Sequence, residues 1–308
     1  MLCSVNTFLP CYLLLDNSPL KSKNMSIDLH IHSTMSDGTM SPVDLVDLAH
    51  KKGLSCIALT DHDTVAGYHG AKERGDAVGL DVIPGVEVSV TFEGLHMHLL
   101  GYLFDHEDEN LVQCLQKLQG ARDQRNSEIL QKLQSQGITI TGTELKAVSI
   151  CGQTGRPHIA RILMQNGIVR SMDEAFDRYL GRNGSAYCNR FAYDLKTGIE
   201  IIHKAGGIAV VAHPYNLIKN DMESGKLLTQ LSKIGLDGIE AYYPTHSRKF
   251  RKQLIFLADK NGLLVTGGSD YHGTIRRGTT LAGGKGVSVP DELVAIMRRI
   301  KQENQSKL

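Results

Sequence analysis

The sequence predicts an α/β barrel interrupted by a helical insertion. Three observations carry this reading. From residue 27 onward, short apolar runs alternate with helical stretches. The rhythm stops over about 108–190, where only helical patterns occur. Histidines and carboxylates collect at the C-terminal ends of the apolar runs, the rim on which a parallel barrel assembles its sites.

The elements follow in order. "IDLHIHS" (27–33) reads as a strand. Residues 42–52 read as a helix, with Ser41 as its cap, Pro42 in its first turn and Gly53 as its stop. "SCIALTDHD" (55–63) is a second strand, and a helix follows over about 65–78. "DVIPGVEVSV" and "LHMHLLGYLF" are two more strands, joined by a hairpin-like turn around Gly94. Leu111, Leu115, Leu118, Leu130 and Leu133 stand near helical spacing in a long amphipathic helix over 108–136. "RPHIARILMQNG" and "SMDEAFDRYLG" are shorter helices, the second opened by the capping pair Ser171 and Glu174. Strands resume at 207–214, 236–243 and 263–270, and a last helix covers about 290–303. The run 281–288 is too rich in glycine for a core strand. The expected division is a disordered leader over 1–24, a first barrel part over 25–107, the helical insertion over 108–190 and a second barrel part over 191–308. The leader's apolar run (11–15) is too short to cross a bilayer and no Lys or Arg precedes it, so the functional chain is expected to begin near Met25.

Composition narrows the function. Of 308 residues, 41% are hydrophobic and 22% charged, enough for a sizeable core. Lys and Arg number 34 against 33 Asp and Glu, so this is no polybasic coat for long duplex DNA. Trp is absent and aromatics are 6%, which excludes a broad base-stacking platform. The cysteines at 3, 11, 56, 114, 151 and 188 form no CxxC pair, disulfide framework or thiolate zinc site, and a reducing cytoplasm fits them best.

The strand ends carry the chemistry. The first ends in His30-Ile31-His32, with Ser36-Asp37-Gly38 just beyond. The second ends in Thr60-Asp61-His62-Asp63, the third carries Glu87, and the fourth carries His96 and His98. Later strands end in Ala212-His213-Pro214 and Ser269-Asp270-Tyr271-His272. Residues at i and i+2 share a strand face, so His30 and His32 can bind one ion together, as can Asp270 and His272. Nitrogen and oxygen donors without thiolates suit Zn, Mn or Fe. Taken singly, Asp37 reads as a turn residue and His213 as a strand end; their joint placement at strand ends is what argues for a metal site.

These residues resemble the polymerase-and-histidinol-phosphatase (PHP) superfamily over about 27–290. The resemblance implies a distorted seven-stranded (β/α) barrel with three divalent ions, Mn2+ first, with Zn2+, Fe2+ or Mg2+ as alternatives. It assigns one ion to His30, His32, Glu87 and Asp270, a second to Glu87, His98 and His213, and a third to Asp37, His62 and His272. Glu87 would bridge two ions. His96 shares a strand face with His98 and is the alternative ligand there. The motif order resembles the branch that hydrolyses nucleotide 3′,5′-bisphosphates and trims short RNA from the 5′ end, by attack of metal-activated water on phosphorus. Asp63, unassigned as a ligand, is a candidate proton donor, with water at the metals as the alternative. The insertion carries Arg156, Arg161, Arg170, Arg178, Arg182 and Arg190, and most of these read as a solvated surface. "GRPH" differs, because a helix start beside an Arg is a natural phosphate site, so Arg156 and His158 are the expected substrate anchors. The expected partner is a nucleotide bisphosphate or a single-stranded RNA 5′ end, with no membrane. Competing readings are a histidinol-phosphate phosphatase, an amidohydrolase-type barrel acting on C–N bonds, and a non-catalytic, metal-stabilised nucleotide-binding module.

Overall fold

A computed structural model describes residues 27–149, 153–216, 221–275, 279–282 and 288–305. The expected leader lies outside them, as does most of the glycine-rich run 281–288. The chain begins with β1 (Ile27–Ile31), α1 (Pro42–Lys51), β2 (Cys56–Leu59), α2 (Tyr68–Val78), β3 (Asp81–Phe92) and β4 (Leu95–Tyr102). Helices α3 (Glu109–Ser135), α4 (Gly142–Ala147), α5 (Arg156–Gln165) and α6 (Met172–Ala175) follow, and α6 runs into a π-helical turn over Phe176–Leu180. The chain then returns to β5 (Tyr193–Asp194), α7 (Leu195–Lys204), β6 (Ile208–Val211), α8 (Asp221–Lys233), β7 (Gly238–Tyr242), α9 (Arg248–Lys260), β8 (Leu264–Gly267) and α10 (Glu292–Gln305).

The sheet runs β1-β2-β3-β4-β6-β7-β8, with the two-residue β5 paired to β3. The seven expected strands form this path. Most neighbours are parallel, but β4 is antiparallel to both β3 and β6. The cause is local: Glu93 and Gly94 both take positive φ and reverse the chain in a tight hairpin. This reversal brings the early residues of β4 to the end of the sheet where its neighbours finish. Among the described residues, the ladder does not close into a full barrel. Beyond the strand ends, β1 and the segment after β8 meet through one bridge, Ile31 to Tyr271. There the Asp270 N–H donates to the His30 carbonyl and the His32 N–H to the Tyr271 carbonyl, at 2.8 and 2.9 Å.

Two features let those segments approach. A Cβ on Gly268 would stand 2.4 Å from the His30 backbone nitrogen, so the contact requires glycine. Asp28 is buried on the same face of β1 as His30 and accepts from the Ser269 N–H and hydroxyl and from the N–H groups of Ala282 and His30.

Helix α3 serves two cores. Its Leu111, Leu115 and Leu118 pack with Val88, Leu99 and Ile202 against the sheet. Its Ile129 and Leu133 pack with Ile159, Leu163 and Leu180 in a separate helical cluster. The insertion is thus rooted on the barrel by a continuous helix. Among the described residues, no helix is long and apolar enough to cross a membrane.

Asp28→Ala leaves buried donors at the β1–β8 seam without an acceptor. It is expected to lower the unfolding free energy by about 3 kcal/mol, read as a lower denaturation midpoint at unchanged slope.

Candidate metal centre

The expected ligands converge at one mouth. His30 on β1 and His32 just past its end share one face, and both are fully buried. Beyond β1 the chain folds back, with the Gly38 N–H donating to the Ser33 carbonyl at 2.9 Å. A Cβ on Gly38 would lie 2.2 Å from the His32 carbonyl oxygen, which is why glycine follows Asp37. Asp61 fixes this loop by accepting from the Ser33 N–H and from the hydroxyls of Ser33 and Ser36. Past β2 the chain still pairs with β3 through a bridge between His62 and Glu87.

Glu87 is the hub. Its Oε1 lies 2.8 Å from His98 Nδ1 and 3.0 Å from His213 Nε2. Its Oε2 lies 3.0 Å from His62 Nδ1, 3.2 Å from His32 Nε2 and 3.5 Å from His30 Nε2. Asp270 Oδ1 stands 3.6 and 3.4 Å from the Nε2 atoms of His30 and His32. Asp37 Oδ1 lies 3.3 Å from His272 Nε2, and its Oδ2 lies 3.8 Å from His62 Nε2. The closest-packed sets are His32, Asp37, His62 and His272; His30, His32 and Glu87; and His62, Glu87 and His98. His32 and His62 each belong to two of them. His96 is exposed and turned towards the insertion, whereas His98 reaches Glu87.

The electrostatics suit cations. Burial disfavours an ionised Glu87, but His98, His62 and His30 outweigh it and hold the carboxyl well below its usual range. Asp37 is held down in the same way by His272 and His62. Burial opposes a charged His32, yet Asp270 and Glu87 raise it to about 10. His62 goes the other way: burial pushes it down to about 3, against the pull of Glu87 and Asp37. Three buried nitrogens, His30 Nε2, His32 Nε2 and His62 Nδ1, make no hydrogen bond. Orphaned buried nitrogens beside clustered carboxylates fit divalent metal ions.

The backbone is strained for this arrangement. Asp63, His213 and Asp270 all take positive φ, at 54°, 27° and 51°. Such conformations cost about 1–3 kcal/mol each and persist where surrounding bonds enforce them. At His213 the enforcing bond is its N–H, which donates to Glu240 at 2.7 Å.

Glu240, on β7, is a residue the sequence reading missed. It is fully buried, and its other oxygen lies 2.9 Å from His30 Nδ1, which leaves His30 Nε2 facing Glu87 and Asp270. The signal was present in "GIEAYY", a carboxylate within an apolar strand, the same feature that marks Glu87. Tyr243 was also missed; its hydroxyl donates to Asp270 at 2.6 Å.

Asp63 requires a correction. It accepts from the Ser89 N–H and hydroxyl and from Arg122 and Arg190. Despite complete burial, the two guanidinium groups hold its carboxyl far below the usual range. An ionised, enclosed carboxylate has no proton to donate, so Asp63 anchors arginines instead. Arg122 and Arg125 themselves continue the buried stripe of α3 between Leu118 and Ile129. That polar break in an apolar stripe was the legible sign of their role.

The other insertion residues divide. Arg156 donates to the Leu180 carbonyl at 3.0 Å and lines a small cavity of about 50 Å³ with Ser89, His96, His98, Arg125 and Arg190. His158 is buried, and its Nδ1 accepts from the Gly155 N–H at 3.1 Å. It closes the start of α5 and lines neither this cavity nor the wider cleft beside Asp37. Arg178 pairs with Glu174 on the surface, as a solvated face would.

A barrel mouth that gathers imidazoles and carboxylates around a buried glutamate defines a metal-dependent hydrolase. The chain belongs to the PHP domain family, which it matches over residues 28–266. It is 38% identical over 245 residues to a 5′-3′ exoribonuclease of Haemophilus influenzae, covering 80% of this chain and 89% of that one. It is 30% identical over 288 residues to a 3′,5′-nucleoside bisphosphate phosphatase of Chromobacterium violaceum, covering 92% and 98%. A solved structure from Chromobacterium violaceum, called an amidohydrolase and holding sulfate, superposes with a TM-score of 0.78 at 27% identity, over 91% of this chain and 96% of that one. With these relatives, the chain is a phosphoester hydrolase.

Two outcomes test the site. Glu240→Gln is expected to weaken metal affinity about 10–100-fold, measured by competition with a chelator. In the chelated protein, His32 has a folded pKa near 10, above the ordinary 6.5. Its contribution to stability is complete below pH 6.5 and is lost as pH rises towards 10. Melting temperature should therefore fall across that window, and less so in His32→Gln.

Proposed function

We propose that the protein is a phosphoesterase that hydrolyses nucleoside 3′,5′-bisphosphates and removes nucleotides from the 5′ end of short RNA. Three divalent ions, Mn2+ first, are held by His30, His32, Glu87 and Asp270; by Glu87, His98 and His213; and by Asp37, His62 and His272. The donor set, rich in imidazole and carboxylate and free of thiolate, supports such ions. When bound, they supply Lewis acidity towards phosphoryl oxygens and lower the pKa of water towards about 7.

One observation carries the substrate reading. His98 reaches Glu87 at the metal mouth and also lines the cavity of Arg125, Arg156 and Arg190. Burial depresses the Arg125 pKa, and Arg122, Arg190 and Arg156 depress it further. Its Nε is buried without a partner. A cavity of about 50 Å³ has room for one or two waters or a compact anion. A terminal 5′-phosphate in this arginine cavity would set the adjacent 3′-phosphorus against the metal ligands.

One chemistry then serves both substrates. The water oxygen bonds to phosphorus, the P–O3′ bond breaks, and O3′ takes a proton from water at the mouth. In a bisphosphate the phosphoryl group leaves as inorganic phosphate. In RNA it stays on the shortened chain as its new 5′-phosphate. Asp37, His62 and His272 would hold the third ion beside the reacting group, and Arg125, Arg156 and Arg190 fix the terminal nucleotide. The thiols of Cys56, Cys114 and Cys188, all free, support a cytoplasmic setting.

The test is a metal-dependent screen on adenosine 3′,5′-bisphosphate, 5′-phosphorylated oligoribonucleotides and histidinol phosphate. The first two are expected to turn over, and Glu87→Gln is expected to abolish both activities along with metal content. Turnover of histidinol phosphate alone would overturn the assignment.

A further inference from the structure

A second opening adjoins the metal mouth on the side away from the arginine cavity. It is a cleft of about 740 Å³, within the size range of small-molecule sites. Asp37 and His272 form its inner end, so it begins at the metal ligands themselves. Helix α5 divides it from the arginine cavity: Arg156 lines the cavity, while Pro157, Arg161 and Met164, on successive turns, line the cleft. Met172, Asp173 and Arg170 face it from the start of α6, and Thr274 and Ile275 from beyond β8.

Resting on the function proposed above, we infer that this cleft holds the RNA nucleotide on the 3′ side of the cleaved bond. Three features argue for that occupant. Among the described residues, no carboxylate forms a salt bridge with the guanidinium of Arg161 or Arg170; Glu174, beside Arg170, is bridged to Arg178, and both arginines are solvent-accessible. Phosphodiester oxygens are the anions such a pair would meet along an RNA chain. The walls between them are apolar, from Pro157, Met164, Met172 and Ile275. Methionine thioethers adapt their shape, so they accept any base face without reading its identity. The position also follows from the reaction: the chain beyond the phosphorus must leave the mouth opposite the anchored 5′-phosphate, and this cleft opens there. Asp37 belongs to the metal centre, and the other carboxylate of the lining, Asp173, is exposed at the rim.

A bisphosphate ends at its 3′-phosphate and does not reach the cleft. The cleft is then what lets one active site process a chain as well as a mononucleotide.

The experiment compares the Mn2+-loaded protein with an Arg161→Ala/Arg170→Ala variant on adenosine 3′,5′-bisphosphate and on 5′-phosphorylated tri- and tetranucleotides. The variant's kcat/KM on the oligonucleotides should fall about tenfold or more, while bisphosphate turnover stays within about twofold. Its oligonucleotide KM should also depend less on salt, by about 0.7 in logarithmic slope for each phosphate no longer neutralised. Arg161→Lys/Arg170→Lys should recover part of the loss. Equal losses on both substrates, or none on the oligonucleotides, would overturn the inference and leave the phosphoesterase assignment standing. Wild-type protein that turns over the bisphosphate but no oligonucleotide would also overturn it. Turnover of neither substrate by wild type would sink the functional assignment itself, a separate result.

Discussion

The mouth of this barrel is organised around one buried carboxylate. Glu87 has almost no exposure, yet its two oxygens face imidazoles from β1, the end of β2, β4 and the end of β6. Removing a carboxylate from water is costly unless its charge is matched. Here matching comes from rings on four segments, so the position of each segment is tied to one side chain. The other carboxylates sit around this centre. Asp270 and Asp37 share the histidines of β1, and Glu240 stands behind His30 and His213. The outer charge orients the inner ligand, as in metal centres where a carboxylate fixes the histidine tautomer.

Positive charge balances this at a distance. Asp63 is adjacent in sequence to His62, but it faces the insertion and binds Arg122 and Arg190. The end of β2 therefore divides its side chains between two tasks, His62 towards Glu87 and Asp63 towards the arginines. The positive φ of Asp63 accomplishes this turn, and the Asp63 carbonyl receives an N–H from Gln119 of α3. One short segment thereby joins the metal mouth to the helix that roots the insertion.

Much of this was legible in the residues, and what was not has physical reasons. The strands and the break in their rhythm appear because apolar runs and glycine stops are local. The ligands appear because they sit at strand ends in short motifs. Glu240 and Tyr243 escaped notice because their partners, His30 and Asp270, lie far away in sequence or on another strand. Arg122 and Arg125 interrupt the apolar stripe of α3, a local sign, but the partner of Arg122, Asp63, lies far away in sequence. Asp63 was misread because sequence alone does not reveal two guanidinium groups closing over it. His96 and His98 could not be told apart by face, since strand alternation places both on the same side; only depth along β4 separates them.

The hairpin at Glu93 and Gly94 has a lasting effect on how the family's architecture can vary. Because β4 runs against both neighbours, its ligand lies near the start of the strand and the hairpin tip projects past the mouth, beside the insertion. Additions at that tip would lengthen a wall over the catalytic opening without moving His98, whose depth is set by pairing with β3 and β6.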